Sequence, residues 1–267
     1  MKSLVALLAM SSTAVFAAKQ PDVQTIIQKS VEANRADFEA APHFNYKERD
    51  RDSDGKGSKT YQVTMIEGTP YQRLMELNGK PVSAEQNADE MKKQEQEAAH
   101  RRSESPDEKQ KRIAEYEKGR QRDHDMMAQL TKAFDFKVTG TQKLKGLTVW
   151  QLKATPRPGY KPPNMHARVL TGMQGELWID QKSYQWVKVT AQVMEPVSIE
   201  GFLARVEPGT RFELEMSPVE GGTWQSTHFS MKSEAKVLGV FNHNSQQDST
   251  YFDYQRIGGS NGDESRP

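Results

Sequence analysis

Six histidines, 36 acidic side chains and 12 methionines are the groups in this 267-residue chain that could do chemistry, and no cysteine accompanies them. The missing cysteines exclude disulfides, thiolate zinc sites, iron–sulfur ligation and cysteine nucleophiles. His43, His100, His124, His166, His228 and His243 are scattered with no close pair. Asp123-His124-Asp125 is the most metal-like cluster, but it sits in the most charged stretch of the chain, where a solvated helix face is the plain reading. No nucleophile elbow, Walker loop, paired-glycine fingerprint or His-Glu-x-x-His run is present. The expectation is a protein without catalytic residues, resident metal or cofactor. His228 alternates with Trp224 and Ser226 and reads as a half-exposed strand histidine. Met65, Met75, Met173, Met194, Met216 and Met231 fall on strand-like runs, where pliable thioethers suit core gaps and apolar ligands of varied shape alike.

The chain is 35% apolar and 27% charged, long enough for one large β domain with a real core. Lys2, the apolar run from Leu4, and Val15-Phe16-Ala17 spell a secretory signal peptide at 1–17. Its apolar run is too short to span a membrane, which takes about 20 residues. Removing it takes Lys2 from 37 basic residues and leaves 36 against 36 acidic, so no overall field attracts nucleic acid. No cysteine stands at the cleavage site to carry a lipid. The expected mature protein is exported, soluble and not lipid-anchored, most simply periplasmic.

Asp22 can cap a helix over 22–40 with Val23, Ile26, Ile27, Val31 and Phe38 on one stripe. Three strand-length runs follow at 44–51, 59–67 and 70–77, divided by Gly-containing turns. Residues 84–125 hold twelve acidic and ten basic side chains and read as two surface helices, about 84–103 and 106–132. Ser83 with Gln86, and Ser105-Pro106-Asp107-Glu108, are their starts. Their narrow apolar stripes would be Ala88, Met91, Ala98 and Ala99, then Ile113, Tyr116, Met127 and Leu130; the alternative is a partly disordered insertion. Strand periodicity returns at 134–140, 147–155, 175–180, 185–195, 209–216, 223–231, 234–241 and 249–256, and 258–267 should be a frayed tail. Phe212, Leu214 and Met216 alternate with charged neighbours, as Val187, Val189, Ala191 and Val193 alternate with polar ones. About eleven antiparallel strands cannot lie flat, so the fold class expected is α+β, mainly β: a strongly curved sheet, an incomplete barrel, capped by the N-terminal helix and the helical pair.

This order of elements, with Gly175-Glu176-Leu177-Trp178-Ile179-Asp180, a short turn and then Val187-Lys188-Val189, resembles the periplasmic lipoprotein carrier superfamily (LolA/LolB-like). Tyr71-Gln72-Arg73-Leu74-Met75-Glu76-Leu77-Asn78-Gly79-Lys80-Pro81 is similar to a hairpin in exported relatives of those carriers. The resemblance, which spans roughly 21–257, implies an incomplete β-barrel closed by helices with an apolar cavity that takes acyl chains; the domain expected is a single one over 18–257 with a helical insertion at 84–132. The charged insertion and the greater length depart from the carriers. The cavity lining expected from strand faces is Tyr61, Val63, Met65, Val187, Val189, Phe212, Leu214 and Met216. The expected function is a non-enzymatic binding protein for a lipid or an acylated lipoprotein. Its rival is an interaction or sensor module with a filled cavity, meeting an envelope protein through 84–132.

Overall fold

A computed structural model describes residues 21–258 except 54, 200–203 and 238–240. The expected signal peptide and all but the first residue of the expected tail lie outside the described residues. Helix α1 spans Val23–Ala40, and Asp22 caps it by accepting from the backbone N–H groups of Gln24 and Thr25. Strands β1 (Phe44–Arg51), β2 (Ser58–Ile66) and β3 (Thr69–Leu77) form the first meander, with a two-residue β4 (Lys80–Pro81) at its edge. Helices α2 (Ala84–Ser103) and α3 (Pro106–Ala133) follow. Then come β5 (Phe134–Leu144), β6 (Leu147–Pro156), a 3-10 helix at His166–Gly172, β7 (Met173–Asp180) and β8 (Trp186–Val193). Short β9 (Val197–Ser198) and β10 (Ala204–Val206) precede β11 (Arg211–Pro218), β12 (Trp224–Val237) and β13 (Phe241–Arg256).

All pairings are antiparallel, and the sheet runs β4-β3-β2-β1-β13-β12-β11-β8-β7-β6-β5 with β9 and β10 appended to β12; its two ends do not meet. Among the described residues the sheet is therefore an open one of 13 strands, where about eleven are expected from the sequence, with short β4, β9 and β10 beyond the expected set. Three expected strands at 223–231, 234–241 and 249–256 are two long ones, because the polar run Asn244 to Gln247 offers no turn and pairs residue by residue with Glu234 to Met231. Ladder hydrogen bonds override the run's low strand preference.

The helical pair starts as its caps dictate. Ser83 accepts from Gln86 N–H, and Ser105 with Glu108 closes a reciprocal capping box behind Pro106. Its attachment differs from the expected apolar stripe, since Met91 points to solvent and the buried residue of α2 is Arg101, 8% exposed. The Arg101 guanidinium pairs with Glu97 at 2.7 Å and donates to the carbonyls of Ile66 and Thr69 and to Thr69 Oγ1. Arg112 of α3 joins the same turn, donating to Glu67 O and Thr69 Oγ1 while paired with Glu104. Two arginines thus hold the helical pair to the β2–β3 turn.

Candidate functional site

Strand register assembles one continuous row of inward side chains. Phe136 faces Ala154, Ala154 faces Gly175, Gly175 faces Ala191, Ala191 faces Phe212, and Phe212 faces Met231. Its centre, on three adjacent strands, is Ala-Gly-Ala. The next inward row, Val138, Leu152, Leu177, Val189 and Leu214, is large throughout and packs with Ile26 and Ile27 of α1. Close packing fills the second row, whereas the small residues leave a hollow in the first. Gly175 cannot be enlarged without moving the sheet, because a Cβ there would lie 2.4 Å from Thr190 O.

The hollow measures about 270 Å³. Its floor is this row; its walls and roof are Ile27 and Ser30 of α1, Met126, Met127, Leu130 and Thr131 of α3, and Val169 and Leu170 of the 3-10 helix. Phe136 and Met231 stand five strand spacings apart, about 24 Å on a flat sheet, so lining one small hollow requires the sheet to curl around it. Three of the four lining hydroxyls are spent on nearby backbone: Ser30 donates to Ile27 O, Thr131 to Ala128 O and Thr210 to Glu234 O. Glu176, Thr190 and Arg211 contribute to the lining but belong by alternation to the opposite face. What remains is an apolar space that can take a flexible hydrocarbon and offers almost nothing to a polar group.

The strands beyond β12 carry a different inner face. Tyr46 stacks on Tyr254 at 5.2 Å and meets Tyr251 edge-on at 6.0 Å, and Phe44 meets Tyr254 edge-on at 6.2 Å. Buried Glu48 lies among them and accepts from Gln72 Nε2 at 2.8 Å, while Asp50 accepts from Ser249 Oγ at 2.6 Å. Burial, reinforced by the Asp50 charge, raises the Glu48 carboxyl above its ordinary value. Burial likewise raises Tyr46 and Tyr254, and with the Glu48 charge pushes Tyr251 up to about 12.

Of the residues expected from sequence to line the cavity, Val189 and Phe212 do so. Leu214 and Met216 pack beside it against the α1 cluster. Val187 lies on the opposite face with Val149, Trp178 and Trp224, because two β8 residues oppose one on β7 where Trp178 faces Lys188 and Ile179 faces Trp186. Tyr61, Val63 and Met65 lie on β2, separated from β11 by β1, β13 and β12, and are not among the lining residues. The floor residues Ala154, Gly175 and Ala191 are not among the expected lining residues, although Ala191 lies on the apolar face expected of its strand; the signal available was three small residues at the centres of otherwise bulky strands. His124 stacks on Phe38 at 4.4 Å with its Nδ1 buried and unpartnered, and His228 sits 3.4 Å from Asp248 and 3.8 Å from Glu213. Among the described residues no group of three His, Asp or Glu is placed to hold a metal, and no helix is long and apolar enough to cross a membrane.

No family model matches the chain, and no curated protein matches it. Solved structures similar to it include a LolA superfamily protein from Nitrosomonas europaea, at 12% identity and a TM-score of 0.32 over 89% of this chain and 94% of that one. Another is a putative outer membrane lipoprotein-sorting protein domain from Vibrio parahaemolyticus, at 12% identity and 0.31 over 87% and 94%. A third is the Pseudomonas aeruginosa MucA/MucB complex, at 9% identity and 0.21 over 87% and 98%.

Proposed function

We propose that this protein is an exported, periplasmic carrier that holds one acyl chain of a lipid or lipidated polypeptide in the hollow over Ala154, Gly175 and Ala191. The observation that carries the reading is the pairing of an apolar lining with a floor of small residues under a roof of methionines. A volume of about 270 Å³ lies near the lower end of ligand sites, roughly 300–1,000 Å³, and suits a single chain. Each methylene moved from water into such a lining contributes about 0.8 kcal/mol. Met126 and Met127 can repack around chains of different length. Val189 and Phe212 are the expected lining residues that support the reading, with Leu214 and Met216 bracing them. It requires no catalytic group.

Titration of delipidated protein with a fluorescent long-chain fatty acid tests the reading, with Ala191→Phe as the comparison. Saturable uptake by the parent and at least a tenfold loss in a folded Ala191→Phe variant is the expected result. No uptake by the parent, or equal uptake by both, overturns it. Export has its own check: N-terminal sequencing of envelope protein should begin at or near Ala18, and an intact Met1 would remove export from the proposal.

A further inference from the structure

We infer that the end of the molecule next to the hollow is a docking face for an anionic lipid bilayer, and that the bound chain is loaded through it; the loading step rests on the carrier reading above. Antiparallel register brings several segments to that end. They are the α3 terminus beside Phe134, the loop after Pro156 with the 3-10 helix, the segment after Val193, and the start of β11. Two large apolar side chains stand exposed on them, Met165 and Met194, each 46% exposed. Met194 N–H donates to Gly172 O, which joins the segment after Val193 to the last residue of the 3-10 helix that Met165 precedes. Met231, a lining residue, is also exposed. Apolar side chains therefore continue from the hollow to the surface around it.

The charges at this end are lopsided, although the chain as a whole is nearly balanced. Lys132, Lys161, Arg168 and Arg211 are exposed and make no side-chain ion pair or hydrogen bond among the described residues. The other described charged residues of these segments are paired, Arg157 with Asp135 and Arg205 with Glu207, which leaves Glu195 as the one exposed acid without a cation among the described residues there. Lys132 adjoins the lining residue Thr131, Arg168 adjoins the lining residue Val169, and Arg211 contributes to the lining itself. Four unpaired cations and two protruding thioethers on segments that flank an apolar hollow fit a surface that is negative outside and hydrocarbon within. A chain withdrawn from that surface would enter the hollow without crossing water.

Flotation with phosphatidylcholine vesicles, with and without phosphatidylglycerol, tests the inference on the mature protein. The expected result is binding to the anionic vesicles that weakens with salt and falls roughly fivefold for each of Lys161→Gln and Arg168→Gln. Met165→Ser with Met194→Ser should weaken it further, and should slow transfer of a fluorescent acyl chain out of vesicles while leaving uptake of a soluble fatty acid unchanged. Ala191→Phe should float like the parent. Absence of binding to anionic vesicles, equal binding to neutral ones, or indifference to all four substitutions overturns the docking face. Normal flotation with no fatty-acid uptake by the parent would instead remove the carrier reading and leave the docking face standing.

Discussion

Where β1, β2 and β13 turn inward they carry Tyr46, Glu48, Tyr61, Val63 and Tyr251, with Tyr46 and Tyr251 packed edge to face beside the Glu48 carboxyl; across the sheet, β6, β7 and β8 carry Ala154, Gly175 and Ala191. Both halves are antiparallel and both are roofed by helices, so backbone architecture does not distinguish them. Side-chain volume and polarity do. The tyrosine half consumes its own inner space and satisfies its polar groups internally, as Tyr254 does by donating to Ser226 O at 2.7 Å. The other half leaves space and offers almost no polar surface to it. The helical pair is fastened to match, by Arg101 and Arg112 over the β2–β3 turn and by Met126, Met127 and Leu130 over the hollow. Binding is accordingly proposed for the half held by pliable contacts.

The largest expected effect comes from placing a carboxylate in the apolar half. Leu152 is fully buried in the row beside the hollow, and Leu152→Asp should cost about 4 kcal/mol or more, read as a lowered urea midpoint. A tolerated Leu152→Asp would mean that the two halves differ less in polarity than their side chains indicate.

Next in size is the arginine clasp. Arg101→Met keeps the stem but leaves the Thr69 carbonyl, in a residue only 5% exposed, without its guanidinium donor, at a cost of about 2 kcal/mol. Hydrogen exchange should show α2 opening first while amides of β6 to β8 stay protected. Uniform loss of protection would mean that the clasp supports the whole sheet.

These residues also show what the sequence could and could not disclose. Caps at Asp22, Ser83 and Ser105 and the alternation of Phe212, Leu214 and Met216 are local patterns, and they locate the helices and one face of β11. The hollow is not local. It exists because register sets Ala154, Gly175 and Ala191 side by side from strands up to 37 residues apart, and register is a property of pairing. The bulge that turns Val187 outward is hidden in the same way. Arg101 was one cation among ten in its segment until the β2–β3 carbonyls were seen around it.

Alkali should strain the tyrosine half selectively. Tyrosines in the unfolded chain ionise near pH 10, whereas Tyr251 is held up to about 12 and Tyr46 and Tyr254 are raised as well. The neutral form is favoured in the fold, so the stability it contributes is full below pH 10 and is lost as pH rises from there towards 12. Urea midpoints measured across that window should fall while tyrosinate absorbance at low denaturant stays below the total expected for eight tyrosines. Full absorbance in a still-folded protein would mean that these rings are open to water.

The smallest effect concerns Glu48, and its sign is the informative part. Burial first, then the Asp50 charge, raises this carboxyl in the folded state, so the fold prefers it protonated. That preference contributes fully below the ordinary carboxylate value and is lost as pH rises from there through the folded-state value. Glu48→Gln keeps an oxygen to accept from Gln72 and cannot ionise. Relative to the parent, the variant should therefore gain stability between about pH 4 and pH 7, by roughly 1 kcal/mol or less, read as the difference in urea midpoints at the two pH values. A gain that runs the other way would mean that the ionised carboxylate is preferred, held by hydrogen bonds that outweigh burial. The tyrosine half would then itself be a preorganised acceptor, and the contrast between a filled half and a receptive one would have to be redrawn.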